Sequence, residues 1–389
     1  MDLLFGFHLP TKIEFGNGLL AQVGEQTKLI TPGRRAMLVT DLGIRQVGIA
    51  ERVSAALSDA GFTVEYFDRV EPNPKDVDCE AGGLAAKNFG ADVIVAVGGG
   101  SVLDSAKAIA LMQTHSGRLA EYEGRGKVIQ DVTPVIAIPT TAGTGSEVTR
   151  SSVVTDTTRK FKMTIKDVRL APRLALVDPE TTYALPPSLT ATTGMDALVH
   201  AIEAYTCCVA NPFSDLFAQV AMGKIYPWLH TAVLDGSNKE ARTALMLGSL
   251  LAGVAFSHAD VAAVHCLAEA LGGLYDLPHG AGNSMFLPSV TAYNAEADPQ
   301  KHAQVAVACG LPVAGLTAEE ASALLVNELE RLSQDIGIPS FASFDRVQEE
   351  DFPFLAKASQ RNGSTPSNCR VIDEDGYLAI LKGCYAKGV

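Results

Sequence analysis

The chain has 389 residues, of which 47% are hydrophobic, and a formal net charge of −13. That length suits two domains with separate cores, and without a run of Lys and Arg the chain offers no face for a nucleic-acid backbone. The opening MDLLFGFHLPTKIEFGNG has no signal-peptide pattern, no later stretch is apolar enough to span a membrane, and the seven cysteines include no CxxC pair, so a cytoplasmic protein with reduced thiols and no membrane partner is expected.

In chain order, RRAMLVTD (34–41), GFTVEYF (61–67), ADVIVAVGGG (91–100), TPVIAIPTT (133–141) and LALVDP (174–179) read as strands. IRQVGIAERVSAALSDAG, DVDCEAGGLAAKNFG and SVLDSAKAIALMQT, lying between the first four, carry apolar residues at helical spacing. Strands apolar on both faces and separated by helices predict a parallel sheet flanked by helices. After YALPPSLTAT the strand signal stops and long Ala- and Leu-rich segments follow. The expected architecture is an α/β domain over 1–186, a parallel sheet flanked by helices, then an all-α domain over 187–389, with Pro186 and Pro187 at the boundary.

Two Gly-rich turns follow predicted strands. Gly98, Gly99 and Gly100 end one strand and Ser101 is expected to cap the next helix, an arrangement that lets backbone approach a pyrophosphate. Leu103 stands where the GxGxxG fingerprint needs its third Gly, and AGTGSEV (142–148) likewise ends in Val148. The second turn adds the hydroxyls of Thr140, Thr141, Thr144 and Ser146. Asp41, at the end of AMLVTD, reads either as an acceptor for the adenosine ribose hydroxyls, favouring NAD over NADP, or as a cap before Gly43.

In the helical half, GMDALVHAIEAY puts Asp196 and His200 four apart on one helix face. His265 in VAAVHCLAEALGG and His279 in LPHGAGN are the candidates to complete a ligand set. A carboxylate with imidazoles suits Fe(II) or Zn(II), ions able to polarise an alcohol or carbonyl oxygen.

Taken together, GGGSVLDSAKAIA, PTTAGTGSEVT, GMDALVHAIEAY, AGVAF and LPHGAGN, in this order, resemble the iron-dependent (group III) alcohol dehydrogenases over essentially the whole chain. The resemblance implies a dinucleotide-binding domain over 1–186 and a metal and substrate domain over 187–389, NAD(H) meeting a small alcohol or aldehyde in a cleft between the two, hydride transfer at an ion-polarised oxygen, and a homodimer. It matches Asp196, His200, His265 and His279 to the metal ligands. Asp41, Gly99, Gly100, Ser101, Asp104, Thr140, Thr141 and Thr144 match nucleotide contacts, and Lys162 in KFKMTI resembles the lysine that reaches the cofactor. For the homodimer, LPTKIEFG is the expected interface strand, its open edge paired with its twin.

The chain also departs from that pattern. Glu269 occupies the second position of the HxxxH found in many members, His258 stands where asparagine is usual, and Arg361 where aspartate is frequent. Glu269 shares a helix face with His265, and His258 and Glu269 are the candidates for proton transfer. A carboxylate at 269 favours a neutral substrate unless a cation such as Arg361 offsets it. The competing readings are a zinc polyol dehydrogenase of the glycerol type, a reductase of a carboxylated, phosphonated or sulfonated aldehyde, a metal-free maleylacetate reductase, and a binding protein with a vestigial site. Metal analysis and NADH turnover on neutral and anionic aldehydes separate them.

Overall fold

The structure, a computed structural model, describes residues 4–387. The chain divides into two compact units, one of Leu9–Ala184 and one in which the residues up to His8 join those from Leu185 onward.

The first unit holds strands β1 (Lys12–Phe15), β2 (Arg35–Val39), β3 (Thr63–Phe67), β4 (Val93–Gly98), β5 (Gly124–Arg125), β6 (Val135–Pro139), β7 (Ser151–Asp156), β8 (Phe161–Lys166) and β9 (Leu174–Val177). Its main helices are α1 (Val23–Ile30), α2 (Leu42–Gln46), α3 (Ile49–Asp59), α4 (Asp76–Phe89) and α5 (Gly100–Thr114). Six strands form one parallel sheet in the order β1-β9-β6-β4-β2-β3. Strand periodicity explains its two cores. Leu38, Val93, Val95, Val97, Ile136 and Ile138 face one side, against Val53 and Leu57 of α3. Met37, Val39, Ile94, Ala96 and Ala137 face the other, against Val102, Ala106 and Ile109 of α5. Every strand residue of β4 is buried, as a sheet covered on both faces requires.

All five expected strands are present, each lying within the segment read for it. The strand expected in LPTKIEFG is also present, whereas the β7–β8 hairpin went unread in the sequence. β1, within LPTKIEFG, is the sheet's edge strand, paired in parallel with β9. β7 and β8 form an antiparallel hairpin whose inward residues Val154, Met163 and Ile165 pack against Ala108 and Leu111 of α5.

From Leu185 onward the described residues contain helices and no strand. These are α6 (Pro187–Thr206), α7 (Pro212–Leu234), α8 (Lys239–Ser257), α9 (Ala263–Tyr275), α10 (His279–Ala295), α11 (Pro299–Ala308), α12 (Ala318–Asp335), α13 (Phe352–Gln360) and α14 (Glu374–Ala386), with short 3-10 turns. Pro187 at the first position of α6 begins it without sacrificing a hydrogen bond. From Gly194 to Thr206 every residue of α6 is buried, so this helix runs through the interior and its polar residues must find partners there.

Candidate functional site

In the first unit the sheet order reverses at β2, which lies between β3 and β4. A ligand in such a sheet binds where the strand order reverses, beyond the strands' carboxyl ends. Those ends are tied together: the Thr40 hydroxyl donates to Val97 O at 2.8 Å, and the Thr140 amide donates to Gly98 O at 3.0 Å. The two Gly-rich turns touch. A Cβ on Gly100 would lie 2.5 Å from Thr144 Cγ2, and one on Gly99 would lie 3.2 Å from Thr141 Cγ2, so side chains there would force the turns apart. Thr140 Oγ1 is buried without a hydrogen-bond partner.

Ser101 is not the helix cap expected from the sequence. Gly99, extended at φ −77° and ψ −172°, takes that position, and α5 begins at Gly100, which moves Ser101 into the first turn. Asp41 does cap a helix, its Oδ1 accepting from the Ile44 amide at 2.9 Å. Asp104 has both carboxylate oxygens engaged. Oδ1 accepts from Ser146 Oγ at 2.6 Å, Oδ2 accepts from the Val153 amide at 3.0 Å, and the buried Lys107 ammonium lies 3.4 Å from Oδ1. Asp104 thus braces the second Gly-rich turn and β7 against α5. Lys162 Nζ donates to Asn73 Oδ1 at 2.7 Å.

In the second unit, Asp196 and His200 on α6 meet His265, in the first turn of α9, and His279, the first residue of α10. One ligand atom from each of the four falls within 4.8 Å of the others. Packing sets this convergence. A Cβ on Gly280 would sit 2.7 Å from Thr192 O, so glycine lets the start of α10 lie against the α6 backbone one turn before Asp196. The His200 ring stacks on Phe256 at 4.3 Å and lies 4.6 Å from the His265 ring.

The donor chemistry fits a cation. His265 Nδ1 is 2.6 Å from Glu203 Oε2; a carboxylate there accepts the ring proton and leaves Nε2 with its lone pair. Nε2 of His265, Nε2 of His279 and Oδ1 of Asp196 all converge on one donor, Asn283 Nδ2, at 3.2, 3.1 and 2.6 Å. Acceptors gathered on one positive centre in an almost dry site are what a divalent ion needs. Burial pushes the Asp196 carboxyl up, but the imidazoles of His200, His279 and His265 and the Asn283 amide together outweigh it and hold the group below its usual range. For His265, burial disfavours the charged ring, while the carboxylates of Glu203, Asp196 and Glu269 together outweigh it, so its pKa is raised. The His279 side chain is 29% exposed, against 2% for Asp196, so the cluster is most accessible beside His279.

His258 lies outside this group. Its ring stacks on Phe7 at 4.2 Å, with Nδ1 2.8 Å from Val254 O and Nε2 3.0 Å from His8 O. Each nitrogen faces a backbone carbonyl, so the ring packs against the leading segment and stands apart from the cluster. Glu269, one turn beyond His265 and half-buried, accepts from Asn362 Nδ2 at 2.6 Å. Arg361, expected to offset that carboxylate, is exposed at the end of α13, and its neighbour makes the contact instead. Sequence reasoning passed over Glu203 and Asn283, although i+3 from His200 and i+4 from His279 are same-face spacings.

Comparison with known proteins agrees with this geometry. Residues 10–179 match the model for the iron-containing alcohol dehydrogenases, and 190–385 match the C-terminal domain of the same family. The chain is 41% identical over 384 residues to a 1,3-propanediol dehydrogenase of Klebsiella pneumoniae, covering 98% of this chain and 99% of that one. It is 39% identical over 376 residues to a NAD-dependent methanol dehydrogenase of Bacillus methanolicus, covering 97% and 98%. The crystal structure of a 1,3-propanediol oxidoreductase superposes with a TM-score of 0.95 at 41% identity, covering 98% of this chain and all of the other. The chain belongs to the iron-containing alcohol dehydrogenase family.

Proposed function

We propose that the chain is an NAD(H)-dependent, Fe(II)-dependent alcohol dehydrogenase and aldehyde reductase acting on a small neutral alcohol or aldehyde, with Zn(II) as the alternative ion. The observation that carries this reading is the convergence of Asp196, His200, His265 and His279 within 4.8 Å. When bound, such an ion supplies Lewis-acid polarisation of the substrate oxygen, and the nicotinamide supplies or accepts the hydride. The protein's own part is to hold the four ligands in a dry pocket open beside His279. Gly98, Gly99, Gly100, Ser101, Thr140, Thr141, Thr144 and Lys162 are the proposed nucleotide contacts, and Asp104 supports them by fixing their loop. One oxygen of Asp41 caps α2 and the other is assigned to the ribose hydroxyls, where a 2′-phosphate would be repelled. Glu269, held by Asn362, sets a negative charge one helical turn from His265 and disfavours anionic substrates.

The test is turnover of NADH and NADPH, after anaerobic Fe(II) reconstitution, with neutral, carboxylated, phosphonated and sulfonated aldehydes. Neutral aldehydes with NADH should give the highest kcat/KM. A dominant anionic substrate would refute the role given to Glu269, and preference for NADPH the role given to Asp41. The relatives' names, a propanediol and a methanol dehydrogenase, favour the neutral class.

We also propose a homodimer through the outer edge of β1, which is paired on one side only. Light scattering at micromolar concentration should return the mass of two chains, and a single-chain mass would contradict the pairing. A reducing cytoplasmic setting is consistent with seven free cysteines. Among the described residues no helix is long and apolar enough to cross a membrane.

A further inference from the structure

Glu203 is 3% exposed and lies on α6, one turn beyond His200. A carboxylate so deeply buried needs donors for both oxygens, and all of them come from a single place, the start of α9. Oε1 accepts from the Val264 amide at 2.7 Å. Oε2 accepts from the Ala262 amide at 2.9 Å and from His265 Nδ1 at 2.6 Å. Negative charge at the amino end of a helix is favourable, but the contact to the imidazole does something that a cap alone does not. It fixes the Nδ1–H tautomer of His265 and turns Nε2 toward Asp196 and His279.

We infer that Glu203 is a positioning residue for the metal centre: α6 supplies two ligands from one face and, a turn later, the carboxylate that selects the tautomer and ring orientation of the third. This rests on the reading of the cluster as a metal site. Ligand histidines gain basicity and a fixed plane from such a partner, and its loss typically weakens metal binding about 10–100-fold. Glutamine cannot replace it. An amide offers one acceptor and one NH2, and the three donors need acceptors on both sides. If the NH2 faces His265, Nδ1 must carry the lone pair and Nε2 the proton, which blocks coordination. If the NH2 faces Val264 instead, two donors oppose each other at the start of α9.

The experiment is calorimetric titration of Zn(II) into metal-free wild type and Glu203→Gln, with NADH binding and circular dichroism as checks on folding. Wild type should take up one ion per chain, and the variant should bind it about 10–100-fold more weakly with its fold and NADH affinity retained. A second measurement needs no variant. In Zn(II)-loaded wild type with 15N-labelled histidine, the His265 ring should show a slowly exchanging Nδ1–H proton close to the Ala262 and Val264 amide protons. Zn(II) affinity unchanged in a folded Glu203→Gln, or a His265 ring protonated at Nε2, overturns the inference. Failure of wild type to bind Zn(II) removes the metal reading itself, and the positioning role with it.

Discussion

Among single residues, Glu147 carries the clearest pH consequence. It sits in the second Gly-rich turn, 2% exposed, and burial pushes its carboxyl up to about 7, a rise that its own backbone hydrogen bond and the charge of Lys107 only partly oppose. The raised native pKa means that the folded state holds the proton more tightly than the unfolded one. Its contribution to stability is therefore fully present below the ordinary value of 4.5 and is lost as pH rises through about 7. Glu147→Gln, which cannot ionise, should unfold like wild type near pH 4 and become more stable than wild type by pH 8, by on the order of 3 kcal/mol. Urea unfolding at the two pH values measures this; a difference that does not change with pH would contradict the buried-carboxyl account. Residue-level legibility was uneven for a physical reason. Asp196 and His200 stand out because an i, i+4 pair of these types on an apolar helix is a recognisable clamp. Glu203 has the same-face spacing, but an isolated glutamate on a helix reads as solvated, and its burial depends on α9, about 60 residues later. His258 and Arg361 were singled out as departures from the family pattern, and neither lies in the cluster: the ring of the first faces backbone carbonyls of Val254 and His8, and the second is exposed to solvent.

At the scale of elements, strands buried on both faces were legible because each is an unbroken apolar run, as in VIVAVG of β4. The β7–β8 hairpin was not, since its outward residues Ser151, Val153, Thr155, Thr164 and Lys166 are mostly polar and half-buried, and the strands are joined by a polar turn. Its position is secured by Asp104 and Lys107, which bond to the Val153 amide and the Ser151 carbonyl, together with the apolar contacts of Val154, Met163 and Ile165. The junction of α6 and α10 shows how a single glycine sets element geometry. Gly280→Ala would drive a methyl to within 2.7 Å of Thr192 O, a backbone atom unable to move aside, so α10 and its leading His279 must shift. Overpacking of this kind costs about 1–3 kcal/mol, and the variant should also bind metal more weakly. Gly383→Ala, in the interior of α14 where an added Cβ meets nothing within 4 Å, should instead gain about 0.5–1 kcal/mol. Thermal melts of both variants provide the comparison; equal behaviour would remove the close-packing argument for His279.

For the molecule as a whole, the change from alternating strands and helices to helices alone was visible in the sequence, and Pro186 and Pro187 lie beside the point where Ala184 closes one unit and Leu185 opens the other. The four ligands could be named from the sequence; what could not be read was the packing of α6, α9 and α10 that assembles them, which depends on Gly280, the buried face of α6 and the Glu203 contact. The central claim is that this assembly is a metal site on which turnover depends. Its most direct test is Asp196→Asn, which keeps the side chain's size and removes its charge. Metal content of the purified protein and NADH-dependent aldehyde reduction should fall together, with metal affinity reduced by more than the about 10–100-fold that losing a supporting partner costs, while NADH binding persists. An Asp196→Asn protein with wild-type metal content and wild-type turnover would contradict the account.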